Sequence, residues 1–152
     1  MLQNLYPYLL TIHSWLRWIV LLAAVVAILV AFSGWSGNRP ASATLRRWGG
    51  IFVGFMDLQL ILGLLLYFGA SPVTRAALEN FGAAMKVKES RFFAVEHPTF
   101  MILALVAAHI GSVMARKGST NAKQNRGPAI AYTISLLLVL GGMPWWRPLF
   151  RM

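Results

Sequence analysis

Four stretches of this chain are apolar over lengths close to what a bilayer requires, and that property dictates the fold. A helix needs about 20 residues to cross hydrocarbon, where every backbone N–H and C=O must be satisfied within the segment. The stretches run roughly over 9–32, 48–68, 92–115 and 128–146. The last is short in strictly apolar residues and reaches full length only by extending through Trp145 and Trp146. Four antiparallel spans joined by short links predict a single-domain, all-α, integral membrane four-helix up-down bundle.

A hydrophobic share of 58% and a mean hydropathy of +0.63 agree with that reading. The net charge of +10 has a topological explanation, because the basic residues fall between the apolar runs, where they face anionic lipid headgroups. Nucleic acid is therefore not an expected partner. The links 34–47 and 116–127 hold Arg39, Arg46, Arg47, Arg116, Lys117, Lys123 and Arg126, with no acid among them. The other end holds Arg75, Lys86, Lys88, Arg91, Arg147 and Arg151, with Glu79, Glu89 and Glu96 interspersed. Seven basic residues against six place the first set in the cytoplasm and both termini in the periplasm of a bacterial inner membrane. No Lys or Arg precedes Arg17 and no convincing small-x-small cleavage site follows the run from Ile19 to Phe32, so the first span is read as retained. The absence of Cys excludes disulfides, thiolate metal sites, iron–sulfur ligation and covalent haem attachment.

The longest link, 69–91, is the least loop-like. Pro72 and the spacing of Ala76, Leu78, Phe81 and Met85 predict a short amphipathic helix in the interface, capped by Ser71 or Thr74; an ordinary surface loop is the alternative. Trp15, Trp18, Tyr67, Trp145 and Trp146 at one end, and Trp35 and Trp48 at the other, fit interfacial anchor belts.

The candidates for chemistry are few, beginning with three histidines. At about 1.5 Å of rise per residue, His13 lies about 6 Å and Arg17 about 12 Å inside the boundary near Leu9. Span three runs the same way and puts His97 about 7 Å inside. Two imidazoles on different helices at one depth suit a bis-histidine, non-covalent b-type haem, with His13 and His97 as axial ligands. Arg17, one turn from His13, is placed to meet a haem propionate, with Arg91 and Trp18 near the same end. The competing reading makes these histidines interfacial or structural, with Pro98 marking a helix start at His97.

His109 lies twelve residues beyond His97, rotated by about 120°, which disfavours a second haem on that face. Met56 is the residue within reach of a second axial position. The bland alternative is an interhelical hydrogen bond from His109 to Tyr132 or Ser112. Asp57, about 16 Å from the outer end of span two, is expected either to pair with Arg17 or to serve a proton or quinone site, with Gln59 nearby. Glu96 is a candidate to orient an imidazole or to sit solvated at the helix start. Gly50 and Gly54 predict close helix packing.

The segments His13-Ser14-Trp15-Leu16-Arg17-Trp18 and Arg91-Phe92-Phe93-Ala94-Val95-Glu96-His97-Pro98, with His109 later in the same span, resemble small bacterial four-span membrane proteins of the cytochrome B-like type. The resemblance covers nearly the whole chain. It implies a membrane-embedded b-haem electron carrier, with His13 and His97 as the first ligand candidates and His109 next. The spans carry three histidines where larger four-helix membrane cytochromes b carry four, which argues against a two-haem path across the membrane.

The expected function is thus electron transfer to or from a quinone or a partner redox protein, within an oligomer or a larger complex, rather than stand-alone catalysis. The rivals are a non-catalytic accessory subunit, and a small proton or ion transporter using Arg17, Asp57 and His109 as a charge path.

Overall fold

A computed structural model of the chain describes residues 2–148, and its regular elements are all helical. A 3-10 turn, Leu2–Leu5, leads into α1, Tyr6–Ser36. Helix α2, Ala43–Leu64, continues through a wider π-helical turn, Leu65–Ala70. Three short helices follow: α3, Pro72–Glu79; α4, Phe81–Ala84; and α5, Lys88–Arg91. A second π-helical turn, Phe92–Glu96, joins α5 to α6, His97–Lys117, and α7 spans Asn121–Gly141.

Small polar residues start the helices where the sequence changes character. The side chains of Ser42, Ser71 and Thr120 accept hydrogen bonds from the amides of Leu45, Thr74 and Lys123, satisfying donors that the first turn leaves open. Ser71 is the cap of the helix expected in the long link, and Pro72 follows it where a missing N–H costs nothing. Replacing Ser71 with Ala should cost about 1 kcal/mol locally. The expected reading is roughly fivefold faster amide exchange at Thr74, and unchanged exchange there would show that the cap does not hold α3.

Three continuous helical paths are long and apolar enough to cross a membrane: Gln3–Ser36, Ala43–Ala70 and Lys88–Lys117. The fourth stretch is displaced from the expected 128–146. Its helix begins seven residues earlier, in the polar run that Thr120 caps, and stops at Gly141, so Trp145 and Trp146 lie beyond it. Asn121, Lys123, Gln124, Asn125 and Arg126 thus occupy the opening turns of α7 and lower its apolar character. Arg151, counted above among the basic residues, lies outside the described residues.

The four long helices close a ring in which α1 contacts α2 and α7, and α6 contacts the same two. Helices α6 and α7 run antiparallel: Met114 lies against Gly127, the hydroxyl of Ser135 donates to the carbonyl of Ala104 at 2.7 Å, and Phe100 lies against Gly141. The amide of Asn125, fully buried, donates to the carbonyl of Arg39 and ties α7 to the α1–α2 link.

The interior is built from small side chains. Ala24, Ala27 and Ala31 of α1, Ala104 and Ala108 of α6 and Ala129 of α7 are buried, whereas Leu22, Leu29, Ile61, Leu103 and Leu137 point outward. In water this distribution forfeits most of the hydrophobic gain. In hydrocarbon it is favoured, because helices gain from close backbone approach and lipid tails are as apolar as Leu. The largest fully buried side chain is Tyr132, edge-on to Phe52 with ring centroids 5.6 Å apart and seated over Gly49 and Gly111.

Candidate functional site

At the end of the ring that carries the short helices, α1, α2 and α6 diverge around a cavity of about 370 Å³. Its wall is mostly apolar, and that volume lies within the range of about 300–1,000 Å³ usual for small-molecule sites. His13 and Arg17 enter from α1, Met56, Gln59 and Gly63 from α2, and His97 and Met101 from α6. Val73 and Thr74 of α3 also border it, so the interfacial helix closes part of its rim. Both π-helical turns contribute, Tyr67 and Phe68 from one and Phe93 from the other. Such turns widen the helix locally and recur at functional sites. Here the hydroxyl of Tyr67 donates to the carbonyl of Ala94 at 2.8 Å, bracing one widened turn against the other.

The two histidines expected at one depth do meet. Their ring centroids are 6.3 Å apart and the planes are inclined by 68°. Two imidazoles bound on opposite sides of one metal, with bonds of about 2.0 Å, have centroids about 6 Å apart. His97 Nδ1 lies 2.7 Å from the carbonyl of Gly142, so Nδ1 carries the proton and donates, leaving the Nε2 lone pair available. Metal-bound histidines are commonly held in this way by a backbone carbonyl. His13 Nδ1 is buried with no hydrogen-bond partner among the described residues. Its ring packs over Gly63, where a Cβ would stand 3.5 Å from Cε1. Gln59 donates its amide to the backbone carbonyl of His13 at 2.9 Å, fixing α1 against α2 at the level of the ring.

No family model, curated protein or solved structure matches this chain.

Two guanidiniums border the cavity, Arg17 and Arg147. Arg17 lies over the Trp18 ring at 5.4 Å, and Arg147 lies over the Phe93 ring at 4.5 Å while pairing with Glu89. Arg91, expected on this side, is instead half exposed in an ion pair with Glu96 at 2.8 Å. That pair also removes Glu96 from the role of orienting an imidazole.

Asp57 and His109 stand apart from this constellation. The sequence offers Asp57 either Arg17 as a partner or a proton or quinone role, and His109 either a ligand role or a bond to Tyr132 or Ser112. The structure gives them each other, with Asp57 Oδ1 3.0 Å from His109 Nε2. Neither lines the cavity. The physical reason is helical phase: Asp57 and Gln59 are two residues apart, about 200° around the helix, so the face that turns Gln59 inward turns Asp57 outward. Ser112 accepts from Arg116 instead. Met56, considered for a second axial position, faces the His13–His97 cavity. Gly50 and Gly54 also face outward, since a Cβ on either would meet nothing within 4 Å.

Among the described residues no cluster of three or more His, Cys, Asp or Glu could hold a metal ion. A haem needs only two protein ligands, and the His13–His97 pair has that number. Sequence reasoning did not single out Arg147, the Gly142 carbonyl or Gln59 as a brace. The Gly141-Gly142-Met143-Pro144 run reads as a helix stop, yet its turn delivers both the Gly142 acceptor and Arg147 to the cavity.

Proposed function

We propose that this chain is a multi-pass membrane protein that holds one b-type haem between His13 and His97 and transfers single electrons to or from a quinone or a partner redox protein. Helix α7 completes a four-span bundle in a bacterial inner membrane, its polar opening turns lying at the cytoplasmic surface with the basic links 34–47 and 116–127. The observation that carries the proposal is the imidazole pair, 6.3 Å apart across an apolar cavity, one ring oriented by Gly142 and the other leaving a buried nitrogen without a partner.

The fit extends beyond the two rings. His97 presents Nε2, and the backing carbonyl raises the basicity of the ring. Arg17 and Arg147 supply positive charge at the cavity wall for the cofactor's carboxylates. Met56, Met101 and Phe93 add apolar wall to the same cavity. A haem bound there supplies one-electron redox chemistry, and the chain supplies ligation, orientation and a low-dielectric sheath.

The direct test is titration of detergent-purified, haem-depleted protein with hemin. The expected result is a Soret band that saturates at one equivalent per chain. Folded protein that binds no hemin would contradict the proposal and leave the accessory-subunit and transporter readings. Gly142→Ala is a sharper probe, because its Cβ would stand 2.5 Å from Met101 Cε and 2.7 Å from Phe100 Cβ. The displaced carbonyl no longer orients His97, and hemin affinity should fall by about 10–100-fold. Unchanged affinity would show that the Gly142–His97 contact does not support ligation.

A further inference from the structure

The Asp57–His109 pair lies within two apolar helices, on their outward side, with Asp57 central in its path and His109 eight residues from the Lys117 end of the other. Asp57 is fourteen residues from Ala43 and thirteen from Ala70, the ends of its helical path. Its side chain is 46% exposed and that of His109 50% exposed. Facing hydrocarbon, an ionisable pair in this position is costly unless another polar group meets it. The single hydrogen bond between the two leaves His109 Nδ1 and Asp57 Oδ2 directed to no partner among the described residues.

The surroundings follow a pattern. Gly50, Gly54, Asp57, Ile61 and Leu64 on α2 are spaced by four and three residues, as are Ile102, Val106, His109 and Val113 on α6. Each is a heptad stripe with one polar member, the arrangement that fixes register between packed helices. The apolar members of both stripes are exposed. Gly50 and Gly54 are open in front, so a neighbouring backbone has room to approach closely.

We propose that this α2–α6 face is the contact surface of a homodimer, in which two Asp57–His109 pairs meet about a two-fold axis. The patch carries both an acid and a base, and a two-fold rotation therefore sets each opposite its complement. Across the axis the His109 ring of each protomer meets the partner's Asp57, so the polar atoms of both pairs are enclosed between the helices instead of facing hydrocarbon. The inference rests on the membrane placement proposed above, and does not depend on haem.

The chain has no cysteine, so single reporters can be read in native membranes. Val106→Cys, one turn from His109, should form a disulfide-linked dimer on oxidation, whereas Leu29→Cys, exposed on α1, should not. Asp57→Leu combined with His109→Leu should reduce the Val106→Cys dimer at least tenfold. Gly54→Leu should do the same while leaving the monomer undisturbed, because nothing lies within 4 Å of that position. Cross-linking at Val106 no greater than at Leu29, capture of a different protein, or a dimer that survives both substitutions would overturn the inference. Alkaline carbonate extraction of the same membranes separates the two levels: a retained chain without the dimer contradicts only this inference, and a released chain contradicts the membrane placement as well.

Discussion

If the proposed haem is held by His13 and His97, then His13→Ala and His97→Ala should each abolish the b-type absorption while leaving the helical fold in place. The expectation is a near-complete loss in both, because a low-spin site needs both imidazoles and no third histidine lies within reach. His109 is on the outward face, held by Asp57, so His109→Leu should retain the full spectrum. The three variants form a control set within one chain. Loss of the band in His109→Leu, or its persistence in either alanine variant, would move ligation away from the His13–His97 cavity. Far-ultraviolet circular dichroism checks that each variant keeps its helix content.

The second large effect concerns Tyr132, where α2, α6 and α7 meet. Tyr132→Ala empties the largest fully buried side-chain volume and should cost about 3–5 kcal/mol, measured by unfolding in detergent. The neighbouring glycines give a contrast of sign. Helix propensity alone predicts that Gly→Ala within α2 gains about 1 kcal/mol. At Gly50 nothing within the chain lies within 4 Å of the added methyl, so in detergent-dispersed monomer Gly50→Ala should realise that gain or be neutral. At Gly49 the phenolic oxygen of Tyr132 stands 2.2 Å from the new Cβ. Steric cost of about 1–3 kcal/mol then outweighs propensity, and Gly49→Ala should destabilise. Equal effects at the two positions would show that Tyr132 does not pack into the α2 backbone.

Depth was legible in the sequence, and azimuth only in part. Hydropathy placed three long apolar helices close to where they lie, because such a run has only helix as a way to satisfy its backbone in lipid. His13 and His97 could be matched because both sit a few residues inside the same end of spans running the same way. The 120° between His97 and His109 already separated their faces. Asp57 was misplaced because counting rise per residue locates a side chain along the axis without saying which way it points. The start of α7 was missed for another reason. A capped helix opened by Asn121, Lys123, Gln124 and Asn125 leaves no hydropathic signal, and only Thr120 in front of it marks the boundary. Arg147 and the Gly142 carbonyl reach the cavity through an irregular turn, where no periodicity exists to predict direction.

One proposal underlies the reading of the cavity: His13 and His97 together hold one redox-active haem. Its most direct test is the dithionite-reduced minus oxidised visible spectrum of wild-type protein, purified in detergent from cells supplied with haem precursor. The expected result is a sharp α band of the bis-histidine b type at one haem per chain. A featureless difference spectrum from folded, haem-supplied protein would contradict it.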